Sequence, residues 1–294
     1  MKGILLAGGS GSRLYPLTKT TSKQMLAVYD KPMIYYPLST LMRFGIRDIL
    51  IISTPQDTPN IRRLFGDGSD LGISIDYAVQ EKPEGIAQAF LIGERFIAGE
   101  EVCLILGDNI FYMDEHMDLF DQAIRGGKEK ATIFGYYVLN PERFGVIEFD
   151  SRYNVVSIEE KPKQPKSNIV SVGLYFYPAD VVEKTRTLHP SARGELEITD
   201  LNNIYRLENR LKAVPMKRGS VWFDAGTFDS LMEASRFVQI MERRQGLQIG
   251  CLEEIAYQNG FIGKDKVESL MQRMGDNAYR DYLRRMCEKN DGIH

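Results

Sequence analysis

Three short, continuously apolar segments in the first half of the chain constrain its fold most. They are Gly3–Ala7, Ile49–Ile52 and Val102–Leu106. Runs of this length without polar alternation are typical of strands buried on both faces of a parallel sheet. Helical periodicity between them, over Ile34–Met42 and Ile86–Phe96, predicts right-handed βαβ units. The sequence therefore predicts an α/β fold with a doubly wound sheet.

In such a sheet, ligands bind beyond the carboxyl ends of the strands. A glycine-rich loop follows the first strand, and Lys23 lies ten residues further on; the loop is Gly8, Gly9, Ser10, Gly11, Ser12 and Arg13. Glycines let backbone N–H groups close around an anion, and Arg13 and Lys23 add two cations. The spacing matches neither the dinucleotide fingerprint nor the P-loop, so a plain turn between strand and helix is the alternative. We hypothesise a triphosphate cradle.

Two aspartates follow strands at the same predicted edge of the sheet. Asp108 comes after Val102–Leu106, and Asp224 ends the short strand that begins at Trp222. A pair of carboxylates suits Mg²⁺, which completes its shell with water and substrate phosphate. Each aspartate alone is equally explained as a strand-end turn or cap.

Two further cations are candidates for binding a second phosphate. Lys161 closes a predicted strand and is followed by Pro162, and Arg193 lies in a loop that runs into a helix. Ordinary solvent-facing positions are the alternative for both. No serine, cysteine or histidine is arranged as a nucleophile–base pair. The combined pattern favours phosphoryl or nucleotidyl transfer, driven by alignment and charge neutralisation.

The pattern changes after residue 130. Predicted strands with fewer helices between them indicate a mixed or antiparallel extension of the sheet; they cover 131–138, 146–149, 155–159, 172–177 and 211–216. A helix is predicted over 197–207, and from residue 227 onward the chain reads as helical and charged. We therefore predict a catalytic domain over 1–240, with a nucleotide-binding part (about 1–130) and a sugar-binding part (about 131–226). A helical C-terminal region over 241–294 follows, for regulation or oligomerisation.

Composition excludes several classes of protein. A net charge of −3 lacks the basic footprint of a nucleic-acid binder. No apolar run is long enough to span a membrane and no signal peptide is evident, so we expect a cytoplasmic protein. Three cysteines and three histidines stand in no metal-ligand spacing, which argues against zinc and favours a hard cation on carboxylates.

A series of motifs in this order resembles the sugar nucleotidyltransferase family, and within it the glucose-1-phosphate thymidylyltransferases. The motifs are Leu6–Leu14, Ser22–Gln24, Asp30–Leu38, Gly66–Ser69, Gly107–Asn109, Glu159–Pro162, Arg193–Asp200 and Glu253–Tyr257. The resemblance implies a Rossmann-like doubly wound mixed sheet of the nucleotide-diphospho-sugar transferase type, with a helical C-terminal appendage. It also implies conversion of dTTP and α-D-glucose 1-phosphate to dTDP-glucose and pyrophosphate with Mg²⁺, the first step toward dTDP-L-rhamnose. A homotetramer, inhibited by the end product of the pathway at a second site, is implied as well.

The resemblance assigns roles to individual residues. Arg13 and Lys23 bind the triphosphate beside the glycine loop, and Asp108 and Asp224 bind the metal. Lys161 grips the sugar phosphate, with Arg193 nearby. The remaining predicted contacts are Gln24, Gln80 and Gly85 to thymine, and Asn109, Gly145, Glu160 and Val172 to glucose.

The chain departs from the family pattern at a few positions. Ala225 replaces a threonine beside Asp224, and Met113, Asp114 and Gln258 are atypical near the expected regulatory site. Two other functions stay open on the sequence: a UTP- or CTP-dependent sugar-1-phosphate nucleotidyltransferase, and a non-catalytic sensor of nucleotide sugars. Retention of Arg13, Lys23, Asp108, Lys161 and Asp224 together argues against the sensor.

Overall fold

The computed structural model describes residues 1–9, 11–113, 129–152 and 154–291, with side chains described through Glu288. Ser10 and Asp114, both noted in the sequence, lie outside these residues. Within the described residues, nine strands form one sheet: β1 Lys2–Ala7, β4 Asp48–Ser53, β5 Ser74–Val79, β6 Val102–Leu106, β8 Ala131–Tyr137, β9 Gly145–Phe149, β10 Val155–Glu160, β11 Ile169–Tyr177 and β12 Leu211–Pro215. Two small ribbons pair β2 Ala27–Val28 with β3 Lys31–Pro32, and β7 Asn109–Tyr112 with β13 Val221–Asp224.

The order of the sheet is β10-β9-β11-β6-β1-β4-β5, with β8 beside β11 and β12 beside β8. Strands β6, β1, β4 and β5 run parallel, and β11 joins β6 antiparallel. The predicted doubly wound mixed sheet is confirmed. Three of its parallel strands, β1, β4 and β6, come from the continuously apolar runs, because strands covered on both faces need no polar face.

Helices cover both faces of the sheet. In chain order they are α1 Tyr35–Arg43, α2 Thr58–Phe65, α3 Gln88–Ile92, α4 Glu94–Ile97, α5 Val181–Arg186, α6 Ile198–Leu207, α7 Phe228–Gln245, α8 Leu252–Gln258, α9 Lys264–Arg273 and α10 Ala278–Asp291. One apolar cluster joins alternate residues of β1 and β4, such as Leu5 and Ile51, to α1, α2 and α8–α10. The opposite cluster joins Ile4 and Leu50 to α3–α6.

The helix predicted over Ile86–Phe96 is wrong in its continuity, because it is divided at Gly93 into α3 and α4. A Cβ on Gly93 would lie 3.1 Å from Ile4 Cδ1 and 3.2 Å from Leu50 Cδ2. The backbone therefore approaches the sheet closely at this point. Only glycine leaves room for that approach without a shift of neighbouring atoms.

The predicted helical C-terminal region is confirmed over α8–α10. Its apolar residues contribute to the same cluster as α1: Tyr282, Leu283 and Met286 are buried in it, and Met271, Met274 and Tyr279 pack against it. The predicted boundary at 240/241 falls inside α7, which continues to Gln245. That helix begins after Thr227, which forms a capping box with Ser230.

A buried ionic cluster ties the β2–β3 ribbon to α7. The Lys31 side chain is only 3% exposed, and its ammonium lies 2.7 Å from Asp30 and 3.1 Å from Glu242. Glu242 also accepts from the backbone N–H of Ile249 at 2.9 Å, just beyond the end of the helix. Among the described helices, none is long and apolar enough to cross a membrane.

Candidate active site

A cavity of about 670 Å³ opens at the carboxyl ends of the parallel strands. Most of the predicted site residues line it: Gly8, Gly9, Ser12, Arg13, Lys23, Gln24, Gln80, Gly85, Asp108, Asn109, Gly145, Glu160, Lys161, Arg193 and Asp224. Positions more than two hundred residues apart in the chain thus meet in one crevice. The rule that ligands bind beyond the carboxyl ends of the strands predicts this location.

The glycine loop leaves β1 with a backbone that other residues rarely adopt. Gly9 has φ +98° and Gly11 has φ +58°, and the carbonyl of Gly11 accepts from Thr18 Oγ1 at 2.9 Å. Gly11 itself is not among the residues lining the cavity; it precedes the short 3₁₀ turn Ser12–Leu14, which carries Arg13. A Cβ on Gly226 would lie 2.8 Å from an Arg13 guanidinium nitrogen, so Arg13 reaches the loop that follows β13.

The β7–β13 ribbon brings the two aspartates together. Asp224 pairs with Asn109 across the ribbon, and the N–H of Ala225 donates to the carbonyl of Asp108 at 2.9 Å. The Lys23 ammonium donates to Asp108, whose neighbour Asn109 adds a hydrogen bond to the same carboxylate at 2.9 Å. Sequence periodicity did not predict β7.

The two carboxylates have opposite pKa shifts. Burial raises the pKa of Asp224, and the negative charge of Asp108 raises it further, against the opposing charges of Arg13, Lys23 and Arg143. Burial would also raise the pKa of Asp108, but the Lys23 charge and hydrogen bond hold it below its ordinary value. Lys23 therefore balances the charge of Asp108, whereas burial and the charge of Asp108 disfavour the ionised form of Asp224.

These residues fit a divalent cation. Two neighbouring buried carboxylates repel each other, and a hard cation between them relieves that repulsion. No cluster of three acidic, histidine or cysteine ligands occurs within the described ranges, so the described residues supply the two carboxylates here. A metal held this way takes its other ligands from water and substrate phosphate, as Mg²⁺ does in nucleotide sites.

Asn109 connects this acidic pair to the wall of the cavity. Its Oδ1 accepts from the Trp222 indole N–H at 2.6 Å and from the backbone N–H of Gly173 at 3.0 Å. The amide NH₂ is thereby turned toward Asp108. A Cβ on Gly173 would lie 2.5 Å from Asn109 Oδ1, so glycine at 173 permits the contact. Two donors thus fix the orientation of one amide.

Two glutamines line the cavity near the glycine loop. Gln24 is 1% exposed, donates from Nε2 to the carbonyl of Gly8 at 3.3 Å, and has no hydrogen-bond partner for Oε1 among the described residues. Gln80 is 5% exposed and donates to Gln88 and to the carbonyl of Gly85. Both are suited to reading the edge of a bound base.

The two residues predicted to bind the sugar phosphate, Lys161 and Arg193, lie around the end of β10. Lys161 is half-exposed, adopts φ +46°, and its ammonium is 3.4 Å from Glu160. Arg193 is paired with Glu197 at 2.7 Å and lies within 3.6 Å of Glu160. The charge of Arg193 is therefore largely matched by protein carboxylates, and both side chains line the cavity.

Val172, predicted to contact the sugar, is not among the residues that line the cavity. Its side chain is fully buried in the apolar cluster behind the sheet, whereas Ser171 and Gly173 line the cavity. Successive residues of a strand point to opposite faces, so the neighbours of Val172 take the position expected for it. A contact of Val172 with the sugar stays a prediction from the resemblance.

Sequence reasoning missed several residues that line the cavity: Arg143, Ser171, Tyr175, Thr199 and Trp222. Thr199 donates to Glu160 at 2.5 Å, and Arg143 acts on the pKa of Asp224. The turn Pro141–Arg143 directly before a predicted strand was the available signal for Arg143. The atypical Ala225 is fully buried in an apolar cluster, where a hydroxyl would require a partner.

The family model for nucleotidyl transferases matches residues 2–240. The chain belongs to this family. A glucose-1-phosphate thymidylyltransferase of Neisseria meningitidis serogroup A / serotype 4A (strain DSM 15465 / Z2491) is 55% identical over 289 residues, covering 98% of this chain and all of the relative. The enzyme of the same name from Mycobacterium tuberculosis (strain CDC 1551 / Oshkosh) is 50% identical over 293 residues, covering 99% and 100%. The chain is therefore a nucleotidyltransferase enzyme.

Solved structures agree with the fold. A Bacillus anthracis structure that carries the thymidylyltransferase name and holds a sucrose is 43% identical, with a TM-score of 0.75, covering 81% of this chain and 94% of that chain. A UDP-glucose pyrophosphorylase complexed with UDP-glucose has a TM-score of 0.72 at 24% identity, covering 81% and 98%. This second likeness bears on the fold alone. Sugar nucleotidyltransferases take a nucleoside triphosphate and a sugar phosphate, and the family generally uses a divalent metal.

Proposed function

We propose that this nucleotidyltransferase transfers a deoxythymidylyl group from dTTP to α-D-glucose 1-phosphate, releasing pyrophosphate and forming dTDP-glucose. The names of the full-length relatives support this choice of substrates. An oxygen of the sugar phosphate attacks the α-phosphorus of dTTP, and the bond to the departing pyrophosphate breaks in line. The product would enter dTDP-L-rhamnose synthesis, as the resemblance implies.

One observation carries the proposal: two aspartates and two cations meet at the glycine loop. Lys23 contacts Asp108, and Arg13 approaches Asp224. Asp224 ends β13, which pairs with β7, and Asp108 directly precedes β7. Such a group can neutralise a triphosphate while leaving its α-phosphorus open to attack from the far side of the cavity. No nucleophilic side chain is needed, because the sugar phosphate is itself anionic near neutral pH.

In this proposal Arg13 and Lys23 hold the triphosphate, and Lys161 holds the sugar phosphate with Arg193 beside it. Gln24, Gln80 and Gly85 face the thymine. The sugar hydroxyls meet Asn109, Gly145 and Glu160, where Thr199 already donates to Glu160. Lys161 orients the attacking oxygen because its ammonium is a point charge on a side chain that reaches into the cavity.

Asp108 and Asp224 would hold Mg²⁺. When bound, the metal supplies neutralisation of charge that develops at the α-phosphate. The contribution of the chain is to keep both carboxylates side by side. Lys23 meanwhile balances Asp108 in the free protein.

Pyrophosphate release tests the proposal. Purified protein with dTTP, glucose 1-phosphate and Mg²⁺ should release pyrophosphate, and omission of any one should abolish release. UTP and CTP run in parallel address the alternative base. A complete mixture that releases no pyrophosphate with any of the three nucleotides would refute the enzyme reaction proposed here.

We further propose that residues 241–294 serve oligomerisation and regulation in a homotetramer. A second cavity of about 490 Å³ lies between α1, β7 and the segment after α7, with Met113 in its lining. Gln258, at the end of α8, is hydrogen-bonded to Glu254 at 3.3 Å. Light scattering would measure the assembly, and inhibition by dTDP-rhamnose would measure the regulation.

The cytoplasmic location stays a prediction from the sequence.

A further inference from the structure

The side-chain amide of Gln80 lies in the cavity wall beside the glycine loop. A Cβ on Gly8 would lie 2.4 Å from Gln80 Oε1, so glycine at this position leaves the space that the oxygen occupies. The amide has one accepting and one donating end. Which end faces the cavity decides which hydrogen-bonding group of a base it can bind.

A chain of hydrogen bonds fixes that orientation. Gln80 Nε2 donates to Gln88 Oε1 at 2.6 Å, and Gln88 Nε2 donates to Glu84 Oε2 at 2.7 Å. Gln80 Nε2 also lies 3.4 Å from the carbonyl of Gly85. The Glu84 carboxylate and the Gly85 carbonyl can only accept, so both amides must turn their NH₂ groups toward them. Gln80 Oε1 is consequently left on the side of Gly8.

The loop that carries this relay is held in place by the segment before α6. The N–H of Leu196 donates to the carbonyl of Glu84 at 2.7 Å, and the N–H of Ala87 donates to the carbonyl of Leu196 at 3.2 Å. Gly85 has φ +107°, and a Cβ there would lie 2.3 Å from the Leu196 carbonyl oxygen. The position of Glu84 relative to Gln88 is therefore set by backbone contacts on both sides.

We propose that Gln88 and Glu84 are positioning residues for base selection, holding Gln80 with its accepting oxygen toward the base. An acceptor at this point pairs with the N3–H of thymine or uracil and opposes cytosine, whose N3 is itself an acceptor. Rejection of a mismatched hydrogen-bonding group is a strong source of specificity. The inference rests on the proposed function, because it requires the base of a nucleoside triphosphate at Gln80.

The first test is Gln88→Leu, which removes the relay while keeping a side chain of similar size. Gln80 can then rotate its amide, and we expect the ratio of kcat/KM for dTTP to that for dCTP to fall by about tenfold. The KM for glucose 1-phosphate should not change. An equal loss with dTTP and dCTP would indicate a merely structural role and overturn the inference.

The second test exchanges the glutamate at position 84 and the glutamine at position 88. In the double variant Glu84→Gln/Gln88→Glu, the side chain at 88 accepts from both neighbours, so Gln80 still turns its NH₂ away from the cavity. We expect this variant to keep the native dTTP:dCTP ratio with unchanged net charge. Loss of the ratio in the double variant would contradict the relay.

Glu81→Gln is the matched control for charge, because Glu81 is an exposed carboxylate in the same loop. It should leave the ratio unchanged; a fall as large as that of Gln88→Leu would also overturn the inference. Failure of the inference is separable from failure of the proposed function. Native protein that turns over no nucleotide refutes the function, whereas turnover with an unchanged ratio in Gln88→Leu refutes only the relay.

Discussion

Replacing Lys31 by methionine removes the ammonium at the centre of the buried ionic cluster. Methionine keeps the apolar length of the side chain but leaves Glu242, 9% exposed, without its cation at 3.1 Å. Asp30 is 26% exposed and retains access to water. The substitution therefore isolates one buried carboxylate at the junction of the β2–β3 ribbon and α7.

The contacts set the size of the effect. At 3.1 Å and an effective dielectric near 20, the attraction between Lys31 and Glu242 is about 5 kcal/mol. Desolvation of both groups offsets much of this in the native protein. Removing one partner alone leaves the other's desolvation uncompensated, so we expect a loss of about 3–5 kcal/mol in the free energy of unfolding. At about 2 °C per kcal/mol, the melting temperature should fall by roughly 6–10 °C.

The loss should depend on pH. Burial raises the pKa of Glu242 in the folded state, and Lys31 opposes that rise. Without Lys31 the folded-state pKa rises further above the unfolded value, so folding becomes coupled to proton uptake by this group. The penalty is then fully present at high pH and diminishes as the pH falls through the folded-state pKa.

Urea unfolding of native protein and Lys31→Met at pH 8 and pH 5.5 measures both effects. The double variant Lys31→Met/Glu242→Gln should recover most of the loss, because its amide oxygen still accepts from Ile249 without carrying a charge. Lys2→Met is the surface control: Lys2 pairs with a half-exposed Asp48, and such pairs contribute at most about 1 kcal/mol. A loss for Lys31→Met no larger than for Lys2→Met, or equal at both pH values, would refute the reasoning.

Three further predictions concern the cavity. Asp224→Asn should raise the Mg²⁺ concentration for half-maximal pyrophosphate release by roughly 100-fold, since one of two carboxylates becomes neutral; an unchanged requirement would remove Asp224 from the metal site. Lys161→Ala should raise the KM for glucose 1-phosphate by about tenfold or more while the KM for dTTP stays constant, because a charged hydrogen bond is lost, and steady-state kinetics with the reverse pattern would reassign Lys161. Asn109→Leu leaves the indole N–H of Trp222 and the N–H of Gly173 without their acceptor. Urea unfolding should then show a loss of about 2–5 kcal/mol in the free energy of unfolding. A smaller loss would contradict this, because water would then have replaced the acceptor.

The sheet and the location of the site could be predicted from the sequence for a clear physical reason. Parallel strands such as β4 and β6 must be apolar on both faces, so they read as uninterrupted runs that few other structures produce. Once their order along the chain is known, the carboxyl ends define one edge. Asp108 and the glycine loop followed directly from that edge.

The side-chain register of β11 could not be predicted in the same way. This strand is buried on both faces over most of its length, so its sequence has no alternation of polar and apolar residues to show which face each position takes. The resemblance assigned Val172 to the sugar, whereas the side chain of Ser171 and the backbone of Gly173 line the cavity at this strand. The β7–β13 ribbon was missed for a related reason, because Asn109–Tyr112 is too short to show a period.

Contacts between distant side chains could not be predicted from the sequence either. Gln88 and Glu84 stand one helical turn apart in the chain, but their role depends on Gln80 approaching Gln88 from the end of β5. Hydrogen bonds of this kind can be identified only when the backbone positions of both residues are known. Motif spacing predicts which elements meet, whereas the direction of each amide requires the full network of donors and acceptors.

The position of Trp222 gives the protein a built-in optical probe. It is the only tryptophan among fifteen tyrosines in the sequence, so selective excitation of the indole reports from one place. Its ring packs edge-on against Tyr136 and Phe144, and its N–H is held by Asn109 at 2.6 Å. Trp222 lines the cavity, and its partner Asn109 contacts Asp108. We therefore expect occupation of the cavity to alter the polarity around this single fluorophore. Native emission can therefore follow ligand entry in real time, with no label attached.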